Sequence, residues 1–211
     1  MARLDFTDKV WVNEDRKLDG IYHDISAAIN DGLNVVVIAH FEATLASVAA
    51  KLQARSIQFH TFFAGDEDGL CSDNAGTHAA RVWLALAAYF RPRHSPAQKG
   101  GEQDLLCALV AEHHPMASKD QALIEAVTGL RCKSRITFHS ALTDGLLSHF
   151  GGEKLQGLLR QLGQRDDDYL SHPVISGAIR SAQEKVEKKV GREIRAQSSG
   201  EWFKHNLRDG R

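Results

Sequence analysis

The 211-residue chain is short of most features that assign a function at sight. It has no excess of one charge: 26 basic residues against 27 acidic give a net charge of −1. No global field therefore points to nucleic acid or an anionic membrane. Its apolar runs are short; Val82 to Phe90 is typical and far below the ~18 residues of a membrane-spanning helix. Met1 to Arg16 mixes acidic and basic residues and lacks the apolar stretch of a signal peptide, so a cytoplasmic setting is expected. Cysteine is scarce. Cys71, Cys107 and Cys132, odd in number and widely spaced, fit free thiols in a reducing compartment. There is no H-E-x-x-H pair, no internal repeat and no G-x-x-x-x-G-K-[ST] phosphate loop. The acidic run Asp66-Glu-Asp68, with Asp73 beyond it, lacks the register of a calcium loop and reads as a solvated turn.

What remains is a globular pattern, 43% apolar. Ile21, Ile25, Ala28 and Ile29 mark a helix face that ends at Gly32. Val35 to Ile38 is a β-branched run without alternation, as in a strand buried on both faces. Leu45, Val48, Ala49 and Leu52 line the next helix, and Ile57 to Phe63 the next strand. The alanine-rich stretch from Thr77 to Phe90 predicts a helix. Arg91 to Glu102, with Pro92, Pro96, Gly100 and Gly101, predicts a loose connection. Leu105 to Ala111 and Arg135 to Phe138 predict further strands, with a helix at Asp120 to Val127 between them.

Strands separated by helices imply a parallel sheet with right-handed crossovers. Strand signals stop after Leu142. Leu155, Leu158, Leu159 and Leu162 line one helix face, and Ile175, Ile179, Ala182, Val186, Val190 and Ile194 another, predicting a long helix from 174 to about 196. His172-Pro173 suits its start, and Gly191 weakens its far end. The expectation is an α/β domain over residues 1–142 and a helical carboxy-terminal region over 143–211.

Several stretches resemble the SecA protein-export motor family. Ile175 to Glu187 follows the pattern I-x-x-A-I-x-x-A-Q-x-K-V-E that opens that family's scaffold helix. Ser134 to Gly151 is similar to S-R-F-y-x-S-L-x-D-x-L-x-x-x-F-G. Gly32 to Leu45, then Ile57 to His60, looks like the start of the second motor domain, and Leu109 to His114 lies where the family has a strand ending near T-E-R-H. The resemblance spans about residues 17–190. It implies a RecA-like three-layer α/β fold with a helical extension, and a setting in protein export. It also implies a Q-x-x-G-R-x-G-R stretch whose arginines meet the γ-phosphate, but the matching Ala122 to Val127 has no arginine. Arg131 and Arg135 stand at the wrong offset, and Asn74-Ala-Gly76 is a faint echo of a glycine-rich motif. Arginine fingers contribute 10³–10⁵ in rate in phosphoryl-transfer enzymes. The balance thus falls on a non-enzymatic interaction module with no cofactor; the alternative is the second half of a split ATPase motor, Arg131 or Arg135 reaching ATP held by a P-loop partner.

Two groups of residues are candidates for function. His40, Glu112, His113 and His139 follow or end strands, where parallel sheets bind ligands, and could gather in one rim. His plus Glu is zinc-competent chemistry, so a metal-dependent enzyme at this rim is a lesser alternative. Adjacent His113 and His114 should face opposite ways, however, and no closely spaced pair supports a metal. Lys188, Arg192 and Arg195, with Lys185 and Lys189, load the end of the last helix; Trp202 and Phe203 follow. That composition suits either a partner-binding anchor or a pair folding back onto the core. A protein partner, a P-loop or secretion component, is expected there. A cut after Val190 should then leave stability unchanged.

Overall fold

A computed structural model describes residues 6–71, 80–91, 105–150 and 168–207. Six strands form one all-parallel sheet in the order β1-β6-β5-β2-β4-β3, an α/β arrangement with helices on both faces and helices following the last strand. The strands are β1 (Phe6–Trp11), β2 (Asn34–Ala39), β3 (His60–Thr61), β4 (Val82–Leu86), β5 (Leu105–Val110) and β6 (Lys133–Ala141). The helices are α1 (Glu14–Asn30), α2 (Glu42–Ala54), α3 (Glu67–Leu70), α4 (Ala117–Thr128), α5 (Gly145–Phe150), α6 (Pro173–Glu187) and α7 (Ser199–Asn206).

The central strands are apolar on both sides because both sides are covered. Val36, Ile38, Ala108, Val110, Ile136 and Phe138 meet α4 through Leu123, Ile124 and Val127. Val35, Val37, Cys107 and Leu109 meet α1 and α2 through Ile21, Ile25, Val48 and Leu52. Gly32, at φ +73°, closes α1: its amide and that of Leu33 donate back to Ile29 and Ala28. An L side chain is costly in that conformation.

A third cluster gathers the carboxy-terminal helices. Ile175, Ile179, Ala182 and Val186 of α6 join Val10, Phe41, Leu142 and Leu146, and Trp202 and Phe203 of α7 complete it. His172 caps α6 by accepting the Val174 amide, with Pro173 in the first turn.

The structure corrects four readings of the sequence. Val82 to Leu86 is a strand, not part of a helix: it lies between β2 and β3, covered on both faces. Alanine's helix propensity is a weak prior that a central place in a sheet overrides. Phe6 to Trp11, which carries no strand signal in its mixed charges, pairs with β6 as an edge strand. The last helix stops at Glu187 rather than near 196, and Gly191 falls in the following turn. Cys71 and Cys132 form a disulfide, leaving Cys107 as the free and buried thiol. The helix face carrying Leu155 to Leu162 and the Arg91 to Glu102 connection fall largely outside the described residues. Among the described residues no helix is long and apolar enough to cross a membrane.

Candidate functional site

Strand order locates the crevice. From β2 the chain crosses through α2 toward the β3 side; from β5 it crosses through α4 toward the β1 side. Adjacent connections that diverge open a gap beyond the carboxyl ends of β2 and β5, where open parallel sheets bind ligands. A cavity of about 370 Å³ lies there, lined by residues that include His40, Leu86, His114, Lys119, Glu193 and Trp202.

In such crevices the amides of helix amino termini usually receive an anion. Here they meet the protein's own groups. α2 begins at Phe41, which has no side-chain cap. The His40 and Phe41 amides instead donate to Glu112 Oε1 at 3.1 and 3.0 Å, and Thr44 Oγ1 donates to Glu112 Oε2 at 2.7 Å. The next free amide of the first turn, Ala43, donates to the Gln197 carbonyl at 3.0 Å. α4 repeats the arrangement: the His114 amide donates to Asp120 Oδ1 at 2.9 Å, and the Met116 amide to His114 Nδ1 at 3.0 Å. Buried carboxylates and a backbone carbonyl stand where a phosphate would.

Asp120 is the hub of this rim. His113 Nδ1 lies 2.7 Å from Oδ2, and Gln183 Nε2 donates to the same oxygen at 2.6 Å. His40 Nε2 stands 2.8 Å from Oδ1 but out of line for a hydrogen bond. The second His113 nitrogen meets Asp8 Oδ1 at 3.1 Å. Burial opposes the charge on His113, but the two carboxylates outweigh it and raise its pKa to about 10. Asp120 is held well below the carboxylate range: burial works against this, and His113 and His40 overcome it. The pair is an imidazolium clamped between two carboxylates.

His114 faces the other way. Burial lowers its pKa, and its Nδ1 accepts from Met116, so the proton sits on Nε2, 3.2 Å from Glu193 Oε1. Glu193 also receives Trp202 Nε1 at 3.0 Å and Lys119 Nζ at 2.6 Å, and is depressed chiefly by its His114 bond. The segment after α6 is thereby strapped across the rim. α7 seats closely on α5: a Cβ on Gly145 would come within 2.5 Å of Ser199 Oγ and 2.9 Å of the Phe203 ring.

The four rim residues proposed from sequence do not form one site. His40 and His113 share Asp120, and Glu112 caps α2 beside them. His139 is not at a strand end, since β6 runs on to Ala141. It points to the opposite face from Phe138, which stacks on His113 at 4.4 Å. There its Nδ1 accepts from Trp11 Nε1 at 3.2 Å and Nε2 meets Asp24 Oδ2 at 3.1 Å; burial lowers its pKa. Among the described residues no group of three or more His, Cys, Asp or Glu side chains could hold a metal ion.

Of the carboxy-terminal candidates, Lys188, Arg192 and Arg195 are exposed. Trp202 and Phe203 are not an exposed anchor: they are 1% and 2% exposed in the core. A Trp with a carboxylate for its N–H and an apolar bed for its rings belongs inside. Arg135, by its pairing with Cys107, sits toward the amino-terminal end of the sheet, with Nη2 3.9 Å from Cys107 Sγ. It lies away from the crevice. Sequence reasoning missed Asp120, Asp8, Gln183 and Glu193. The one available signal was Asp120 in the first turn of a helix whose cap is apolar.

No protein-family model matches the chain. The chain is similar to curated SecA protein translocase subunits: 26% identical over 192 residues to those of Caldicellulosiruptor saccharolyticus and Clostridium acetobutylicum, covering 89% of this chain and 22% of each relative. The subunit from Symbiobacterium thermophilum is 35% identical over 82 residues, 39% of this chain and 9% of that protein. The chain thus spans about a fifth of the curated relatives it matches along most of its length. Among solved structures, the carboxy-terminal part of the Fun30 ATPase domain aligns at TM-score 0.43 and 12% identity, over 82% of this chain and 54% of that one. The carboxy-terminal domain of a possible DNA helicase from Lactobacillus plantarum aligns at 0.39 and 14%, over 66% and 74%. The fold assignment rests on the sheet topology. By sequence the chain is similar to a stretch of SecA protein translocase subunits.

Proposed function

We propose that this chain is a SecA-like second motor domain that works without ATP chemistry, as an interaction or accessory module linked to protein export. Residues 1–142 are its RecA-like unit and 143–211 its helical region. The observation that supports this most is the state of the crevice amides. His40, Phe41, Ala43 and His114 spend their N–H groups on Glu112, Gln197 and Asp120. A bound anion would have to displace two buried carboxyl groups, Glu112, whose pKa burial raises, and Asp120, which is held as a carboxylate and repels an anion. The absence of arginine from Ala122 to Val127 of α4 agrees with it.

The setting is the cytoplasm, and the partner a protein: a P-loop or secretion component. Its contact surface includes Lys188, Arg192 and Arg195, which are exposed. Trp202 and Phe203 hold that surface in place from beneath rather than docking themselves. Purified chain should release no phosphate from ATP, alone or mixed with a neighbouring P-loop protein. Turnover by the chain alone, abolished by Asp120→Ala but not by Arg195→Ala, would refute the reading.

A further inference from the structure

A second cavity adjoins the crevice and shares His113, Asp120 and Gln183 with its rim. Its volume is about 220 Å³. β1 and β6 form its floor through Asp8 and Phe138, and the diverging helices α4 and α6 form its walls through Ile124 and Ile179. Phe6 and Ser176 stand at its sides. Volume of this order holds about seven water-sized groups, using the ~30 Å³ per water of the liquid as a scale.

Its polar groups are unequally used. Asp120 has both oxygens engaged, by the His114 amide on one and by His113 and Gln183 on the other. Asp8 is 4% exposed, and only its Oδ1 is engaged, by His113. Its Oδ2 has no partner among the described residues. That oxygen is not fully enclosed, and a charge-assisted bond from a cationic donor is the strongest it can accept there. His113, between Asp8 and Asp120, is held in its charged form by these neighbours. Arg180, at the mouth, is largely exposed and turned toward Glu184, with Nε 3.4 Å from Oε1. Lys9 belongs to the other face of β1 and pairs with Asp24.

A hydrolytic role for the same residues fails on geometry. Ser176 lines the cavity beside His113 and two aspartates. Both His113 nitrogens are paired with carboxylates, however, so the ring has no free lone pair to take a proton from a hydroxyl.

We infer that this cavity is a binding site for a small organic cation, a primary ammonium or amidinium group on a compact apolar or aromatic body. The charged head meets Asp8 Oδ2, and the body lies among Phe6, Phe138, Ile124 and Ile179. The assignment does not depend on any role in export.

The test is titration of the full chain with 2-phenylethylamine and with 2-phenylethanol, the neutral analogue of matching size, by calorimetry and amide chemical shifts. The amine should bind saturably, shifting the Asp8, Phe138 and Ile179 amides, and at least tenfold more tightly than the alcohol. Asp8→Asn should abolish that preference. Ser176→Phe, which fills the cavity from α6 and leaves Asp8 intact, should block both compounds. Equal binding of amine and alcohol, or amine binding undiminished in folded Asp8→Asn or in Ser176→Phe, would overturn the assignment.

Discussion

Replacing Trp202 by alanine should cost this protein a large part of its stability. Trp202 is 1% exposed and packs with Phe41, Phe203 and the α6 stripe. Trp-to-Ala changes in cores cost about 3–5 kcal/mol, from lost transfer free energy plus the cavity left behind. The N–H bond to Glu193 adds about 1 kcal/mol or less, because Lys119 and His114 still engage that carboxylate. A total near 4–5 kcal/mol should lower the melting temperature by about 8–20 °C at this chain length. The assay is calorimetry or circular dichroism of Trp202→Ala beside Arg195→Ala, an exposed neighbour expected to stay within about 0.5 kcal/mol. A loss under 1 kcal/mol for Trp202→Ala would mean that α7 is not anchored and that the strap across the rim is illusory. By the same reasoning a cut after Val190 should destabilise the chain, not leave it unchanged.

Gly145→Ala should cost about 1–3 kcal/mol by pushing Ser199 and Phe203 away, measured as a shift in urea midpoint; no shift would separate α7 from α5. Asp120→Asn should cost about 3–5 kcal/mol, because it leaves His113 charged with one partner fewer; a near-neutral change in chemical denaturation would remove Asp120 as the hub. His113 has its folded pKa raised to about 10, so its stabilisation is complete below pH ~6.5 and is lost as pH rises toward 10. Asp120, depressed, contributes above pH ~4 and loses its contribution on further acidification. Urea midpoints should thus fall between pH 7 and 10, and that slope should flatten in His113→Gln; an identical slope in the variant would contradict the assignment. Reducing the Cys71–Cys132 disulfide, which closes 61 residues, should cost about 4 kcal/mol by the loop-entropy relation; unfolding with and without reductant, with Cys71→Ser as control, measures it.

Much of the sheet was legible because burial on both faces writes a plain apolar run, as in Val35 to Ile38 and Leu106 to Val110. β1 was not, since an edge strand keeps polar residues: Asp8 and Lys9 sit mid-strand, each with a partner from another element. β4 was misread because Val82-Trp-Leu-Ala-Leu serves a helix or a buried strand equally well, and only its place between β2 and β3 decides. The rim histidines were legible as strand-end residues, but their roles were not. Those depend on contacts across 105 residues from Asp8 to His113 and 63 from Asp120 to Gln183, which no local pattern encodes. Trp202 was ambiguous for the same reason: its partner Glu193 and its bed on α6 exist only once the chain folds back.

The central claim is that the crevice is closed to nucleotide by the protein's own carboxylates, and amide chemical shifts test it most directly. ADP, ATP and a non-hydrolysable ATP analogue, with Mg²⁺, can be titrated to millimolar concentration while the His40, Phe41, Ala43 and His114 amides are followed. The account predicts that these resonances stay in place and that no phosphate is released. Saturable shifts at His40, Phe41 and Ala43 with micromolar affinity would contradict it.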